Sequence, residues 1–326
     1  MMLDQISTKD YIIDVIKRYK MVGAPLAGIT TPPFRQIIRI FFDGLIFTEM
    51  VSVEGIKRKI KSTLEYTKIY DFDRPIFIQL FGNNPESFYE AIKVCEEIAS
   101  PDGYDLNAGC PVKKVIKSNA GSYLLKDLNN LKEIIKKMRK ATNKPISVKT
   151  RLGWDNNSLV YKEILKICEN EGVDILTMHA RTKTEMFSGN IHYEALSELA
   201  TLRKNITLIG NGNVIDRNSF ERLLSTGVDA VMIGRGMMKS PWIFKAIKEN
   251  ISTHEYLSLS EKIDLIYKLL NLEKNYRNNY LDIVKKYIVW FLKGYKGSTE
   301  LRKKIYQSND ENKMIKLLEE FVEQNS

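Results

Sequence analysis

Asp105-Leu-Asn-Ala-Gly-Cys-Pro111 is the stretch that decides the fold. A strand-like lead through Tyr104 and Leu106 runs directly into small residues, then a cysteine, then a proline. Gly109 lets the backbone turn without a Cβ penalty, and Pro111 stops strand pairing beyond it. The thiol of Cys110 is therefore expected on a loop at the end of a strand. Packing is the alternative reading, since free cysteines are commonly buried. The basic, small-residue run Lys113-Lys-Val-Ile-Lys-Ser-Asn-Ala-Gly121 that follows favours presentation.

Outward from this strand the same pattern repeats. Short β-rich runs stand near Met21–Pro25, Leu45–Thr48, Pro75–Leu80, Tyr104–Asn107, Ile146–Lys149, Ile175–His179, Thr207–Asn211 and Ala230–Ile233. Helix-period segments separate them, among them Pro85–Ile98, Asn129–Arg139, Ser158–Glu171, Tyr193–Leu202 and Ser219–Ser225. Strand–helix alternation implies a parallel sheet, and eight such strands imply a closed (β/α)8 TIM barrel, an α/β fold. An open doubly wound sheet is the alternative, but no GxGxxG follows the first strand. From about Leu257 to Val322 the period is helical throughout, with breaks at Gly294, Gly297 and Ser308-Asn-Asp310. An all-α bundle of three or four helices is expected there. The domain expectation is a barrel over 1–250 and a helical domain over 251–326.

Composition narrows the class. With 326 residues, 44% hydrophobic and 28% charged, the chain has an ordinary globular composition. No run of about 18 apolar residues exists, and Met1–Lys20 lacks a signal-peptide core. Three cysteines without CxxC spacing make neither a disulfide framework nor a zinc site, so no metal is expected and the cytoplasm is the expected compartment. The net charge of +10 favours a polyanionic partner, or else reflects a lysine-rich surface. Nine Lys/Arg against Asp282 and Glu300 fall within Lys274–Lys304, a net +7. The aromatics interleaved there (Tyr276, Tyr280, Tyr287, Trp290, Phe291, Tyr295) read as core rather than base-stacking platforms. A second basic cluster is Lys57-Arg-Lys-Ile-Lys61.

In a barrel the chemistry sits at the C-terminal strand ends. Those ends are Pro25-Leu-Ala-Gly28, Thr48-Glu49, Gln79, Asn107–Cys110, Lys149-Thr-Arg151, His179-Ala-Arg181, Asn211-Gly-Asn213 and Gly234-Arg-Gly236. Turns alone would not need so many Lys, Gln, His and Arg. Glycine-rich turns after strands seven and eight, with Arg235, suit a phosphate. Gln79, Lys149 and His179 suit the polar edge of a flavin, where a lysine would stabilise the anionic reduced ring. A surface lysine and a structural histidine are the alternatives, and His192 and His254 read as structural. Cys110, as an ordinary thiol, is protonated at neutral pH and can act as an acid.

Taken together these residues resemble the tRNA-dihydrouridine synthases, and within them the bacterial B type. The resemblance runs through Ala24–Gly28 with Pro33-Phe-Arg35, Thr48-Glu-Met50, Gln79-Leu-Phe-Gly82, Asn107–Val115 with Gly121, and Val148-Lys-Thr-Arg-Leu-Gly-Trp154. It continues through His179–Thr182, Gly210–Asn213, Ile233-Gly-Arg235 with Pro241-Trp242, and Trp290–Gly294 with Glu300-Leu-Arg302. The resemblance implies an FMN-binding barrel, a helical RNA-binding tail, NADPH (or NADH) as reductant, and reduction of a D-loop uridine of tRNA, with position 17 favoured. By analogy Pro25, Leu26, Ala27, Gln79, Lys149, His179, Asn211, Gly212, Asn213, Gly234 and Arg235 would bind FMN. Cys110 would protonate uracil C5 while flavin hydride goes to C6. Asn107, Arg151 and Arg181 would contact the uracil. Lys114, Lys285, Lys286, Lys303 and Lys304 would contact tRNA, and the protein would act as a monomer without metal or membrane. Leu26 departs from a common methionine, and Asn213 from a frequent aspartate, which leaves the polar contact of Asn213 open. The alternatives are a flavin barrel reductase of a small enone or pyrimidine, which has no use for the basic tail, and a non-catalytic RNA-binding module.

Overall fold

A computed structural model describes residues 7–325. Eight strands, β1 (Met21–Gly23), β2 (Ile46–Ser52), β3 (Ile76–Phe81), β4 (Gly103–Ala108), β5 (Ile146–Arg151), β6 (Ile175–His179), β7 (Thr207–Asn211) and β8 (Ala230–Ile233), form one parallel sheet. From β2 to β8 each strand pairs with its sequence neighbour, and β1 pairs with β8. The Gly23 N–H donates to the Leu45 carbonyl at 2.9 Å, immediately before β2, and so joins the two ends into a (β/α)8 barrel. All eight expected strands are present.

Side chains alternate between the two faces of a strand, so every second residue points into the barrel. The lower interior is apolar: Val22, Phe47, Phe77, Ile175, Ile209 and Ala230 pack together with Ile12 and Ile16. Those two isoleucines belong to the helix Thr8–Tyr19, whose start is capped by Ser7 Oγ accepting from the Asp10 N–H at 3.1 Å. One step up the same strands the interior becomes polar, with Gln79 following Phe77 and Thr177 following Ile175. This change of character up the barrel is what makes its C-terminal end a site.

The expected helices Pro85–Ile98 and Tyr193–Leu202 are observed with those bounds, and the other three within three residues. In the tail, four helices occur among the described residues: Leu259–Tyr276, Tyr280–Phe291, Ser298–Gln307 and Glu311–Glu323. Gly294 and Gly297 take positive φ of 99° and 78°, and Asp310 caps the final helix through the Lys313 N–H, so the expected breaks are real.

The chain divides into two compact units. The first runs through Pro32 and includes Asp43–Val214 and Asn218–Gly234; the second comprises Pro33–Phe42, Ile215–Arg217 and the chain from Arg235 onward. Within the second unit Phe34 stacks on Tyr287 with ring centroids 5.2 Å apart, and Phe42 stacks on Phe244 at 4.0 Å. The helical unit is thus not simply a tail, because it incorporates the helix Pro32–Phe41 that follows β1. Tyr287 and Phe291 are internal, as their reading as core requires. No described helix is long and apolar enough to cross a membrane.

Candidate active site

Cys110 lies two residues beyond β4, on a loop held from three directions. Asn107 Oδ1 accepts the N–H groups of Cys110 at 2.9 Å and Gly109 at 3.2 Å. Arg151 Nε donates to the Gly109 carbonyl at 2.9 Å. The Ser122 N–H donates to the Cys110 carbonyl at 3.0 Å. Gly121 beside it has φ +61°, and a Cβ there would come within 2.8 Å of that carbonyl, so only glycine fits. Cys110 is half-buried, whereas Cys95 and Cys168 are fully buried. Burial pushes the Cys110 thiol above its ordinary value, opposed by a bond from the Val112 backbone and by the positive charges of Arg151 and Lys149. The thiol is kept in its protonated form, and two cations act on it.

Lys149 sits on β5 opposite Asn107 of β4 in the strand register. Its Nζ donates to Asn211 Oδ1 at 3.3 Å, while Asn211 Nδ2 donates to the Met232 carbonyl at 2.8 Å. Burial, followed by the Arg151 charge, pushes the Lys149 ammonium down to about 8. Gln79 on β3 donates from Nε2 to Asp105 Oδ2 at 2.7 Å and accepts from Asn107 Nδ2 at 2.9 Å. On β6, His179 Nε2 lies 3.4 Å from Arg181 Nη1. Arg181 also donates to the Gly189 carbonyl at 2.6 Å and to Asn213 Oδ1 at 3.3 Å. That contact gives Asn213 a polar partner, and its φ of 50° puts it in the left-handed region.

Hydrogen bonds and strand register therefore bring together Gln79, Asn107, Cys110, Lys149, Arg151, His179, Arg181, Asn211 and Asn213. Gly212 lies within that loop, where a Cβ would meet Ile191 Cδ1 at 2.5 Å. Pro25, Leu26 and Ala27 form the turn after β1. There Leu26 N–H donates to Thr30 Oγ1 at 3.1 Å and Gly28 N–H to Glu49 Oε1 at 2.5 Å. Gly234 directly follows β8, with Ala24 beside it. Arg235 is exposed and opens the helix Arg235–Lys239 in the second unit.

Three expected residues sit differently from a simple surface contact. Arg151 and Arg181 are 2% and 1% exposed, and three Arg151 N–H bonds go to the carbonyls of Gly109, Thr182 and Met186. Lys285 is 4% exposed and donates to Asn309 Oδ1 at 2.9 Å, so its ammonium is built into the helical unit and offers no phosphate-binding surface. Lys114, Lys286, Lys303 and Lys304 are exposed. In the second basic cluster, Lys57 pairs with Glu90 and Arg58 with Glu54.

Asp105, Ser147 and Thr177 are functional candidates that the sequence pattern did not single out. All three are fully buried on inward-facing strand positions; the Ser147 side chain acts on the Asp105 carboxyl, and Thr177 leaves its hydroxyl oxygen without a hydrogen bond. Their signal was available in alternation: each lies two residues before a site residue on its own strand.

The donor set fits the polar edge of a planar ring carrying carbonyl oxygens and ring nitrogens. Lys149 has three N–H donors and one bond to Asn211, so two remain for a ligand. Gln79 uses one donor and one acceptor of the two each it possesses.

Residues 22–326 match the family model described as dihydrouridine synthase. A probable tRNA-dihydrouridine synthase of Aquifex aeolicus is 32% identical over 314 residues, covering 94% of this chain and 97% of the relative. The tRNA-dihydrouridine synthase B of Pasteurella multocida is 31% identical, covering 91% of each, and that of Pseudomonas aeruginosa is 30% identical, covering 89% of each. The chain belongs to the dihydrouridine synthase family, of the B type.

Proposed function

We propose that this protein is a flavin-dependent tRNA-dihydrouridine synthase that saturates the C5=C6 bond of a D-loop uridine, with position 17 favoured. The observation that carries the reading is a protonated, half-buried thiol at a barrel strand end, beside Lys149 and anchored by Asn107. FMN would be held by Lys149, Gln79, His179 and the Asn211–Asn213 turn, with Pro25, Leu26, Ala27, Gly234 and Arg235 completing its site. Once reduced by NADPH or NADH, bound FMN would supply the hydride taken by uracil C6.

The chain's own residues do the rest. Cys110 delivers the proton from Sγ to C5, on the face opposite the hydride, and burial keeps that proton available at neutral pH. Asn107 and the arginine pair, Arg151 and Arg181, shape the pocket for the uracil edge. A uridine in folded tRNA must be extruded to reach a barrel mouth, at a cost of a few kcal/mol. Exposed Lys114, Lys286, Lys303 and Lys304 offset this through phosphate contacts that position the RNA.

The test incubates the full-length protein with FMN, NADPH and tRNA lacking dihydrouridine, then maps the modified base by mass spectrometry. Dihydrouridine in the D-loop is the expected product. Turnover of free uridine or a small enone, with none of tRNA, would replace this reading by a small-substrate reductase. Truncation after residue 250 is a poor test, because Phe34 and Trp242 would lose Tyr287 and Phe291, their ring partners within the helical unit.

A further inference from the structure

Gln79 is held at both ends of its amide. Nε2 donates to Asp105 Oδ2 at 2.7 Å, and Oε1 accepts from Asn107 Nδ2 at 2.9 Å. Asn107 then turns its Oδ1 to the N–H groups of Gly109 and Cys110. The bonds form one unbroken chain from a carboxyl group to the loop bearing the thiol.

Polarity along such a chain is not set by the amides themselves. Gln and Asn side chains each have a donor end and an acceptor end of nearly the same shape, so either could face either way. A carboxylate only accepts. Asp105 Oδ2 therefore demands the donor end of Gln79, Gln79 then presents its acceptor to Asn107, and Asn107 presents its oxygen to the loop. Reversing any one member would put donor against donor at the next. Protonation of Asp105 does not undo this, because Oδ1 can carry the proton while Oδ2 still accepts from Gln79.

Stability does not account for a carboxyl group here. Asp105 is fully buried, and burial pushes it up to about 7, against the Gln79 and Ser147 side chains and the Lys149 charge. A fully buried ionisable carboxyl is costly.

We propose that Asp105 is a positioning residue, whose acceptor-only oxygen sets the polarity of the Gln79 and Asn107 amides and thereby holds the Cys110 loop in its reacting orientation. This rests on the reading of Cys110 as the proton donor.

The test replaces Asp105 by Asn, an isostere that can present either end, in the full-length FMN-loaded protein. Three quantities are read: the thermal midpoint, kcat and KM for tRNA, and the iodoacetamide alkylation rate of Cys110 without tRNA, with buried Cys95 and Cys168 as silent controls. The midpoint should hold or rise, since a buried ionisable carboxyl is removed. Turnover should fall about tenfold with KM within about twofold, the mark of an interaction lost from the reacting state. Cys110 alkylation should change by about threefold or more, as expected when thiol access and orientation change. Asp105→Leu, which removes the acceptor altogether, should lower kcat at least as far, and it decides the matter should the Asn variant fail to fold. Wild-type kcat in folded Asp105→Leu, which leaves Gln79 no acceptor, overturns the proposal, and so does a fall in kcat matched by a fall in midpoint. If the wild-type protein makes no dihydrouridine, the functional reading fails, while an unchanged alkylation rate in the variants would still refute the orienting chain by itself.

Discussion

Asn107 Oδ1 accepts the backbone N–H of Cys110 at 2.9 Å, so the side chain of a strand residue fixes the first turn of the loop that carries the thiol. The same oxygen accepts from Gly109, which closes an Asx-type turn and leaves the Cys110 side chain free of that task. The register of β4 against β5 puts Lys149 directly opposite Asn107.

Asn107→Ala removes both loop bonds and the partner of Gln79. Turnover should fall by about 10²-fold, the size associated with a misplaced catalytic group. Single-turnover measurement with pre-reduced enzyme checks this, and a rate within about threefold of wild type would show that the turn stands without the side chain.

Arg151→Met keeps the bulk of the side chain and removes three buried N–H bonds to backbone carbonyls. Charged hydrogen bonds of this kind make the variant roughly 2–4 kcal/mol less stable. Urea unfolding measures the loss, and Cys110 should alkylate faster because the Gly109 carbonyl is no longer held. An equally stable variant with slow alkylation would restrict Arg151 to the substrate.

Lys149 gives a signed pH dependence. In the folded protein its ammonium releases its proton at about 8, against a value of 10.5 for an ordinary lysine. Between these values the unfolded chain binds more protons, so stability rises with pH through that window. In ligand-free protein, wild type should therefore gain on Lys149→Met from about pH 8 to pH 10.5 and run parallel to it below pH 8. A flat difference across the window would put the ammonium in solvent.

Neutralising Lys286, Lys303 and Lys304 together should weaken tRNA binding and lower the slope of log affinity against log salt by about two to three. Lys285→Met should leave that slope unchanged and lower thermal stability instead, since its ammonium bonds to Asn309 inside the helical unit. An unaltered slope in the triple variant would remove these lysines from the RNA contact.

The barrel was legible in the sequence because parallel strands buried on both faces read as short apolar runs, each ended by turn chemistry. Candidate residues at strand ends were legible for the same reason: Lys149 and His179 interrupt apolar runs where surface is not expected. The helix Thr8–Tyr19 was not anticipated, although Ser7 caps it, because its apolar face is narrow and its partners are the distant residues of the barrel floor. The helix Pro32–Phe41 lies between two strands, yet its Phe34 packs with Tyr287 and the adjoining Phe42 with Phe244, each more than 200 residues away in sequence. Lys285 read as part of a basic face because charge counts along a sequence do not reveal which side of a helix faces inward. Asp105 was passed over although it opens the decisive stretch, since a polar residue leading a strand looks like a turn until Gln79 is placed beside it.

The most direct measurement is the rate of dihydrouridine formation by FMN-loaded, pre-reduced wild type and Cys110→Ala on tRNA from cells lacking the modification, with tRNA affinity measured alongside. Loss of a general acid predicts a fall of roughly 10²–10⁴-fold with FMN content and tRNA affinity preserved. Equal rates in the two proteins would contradict the role of Cys110 as proton donor.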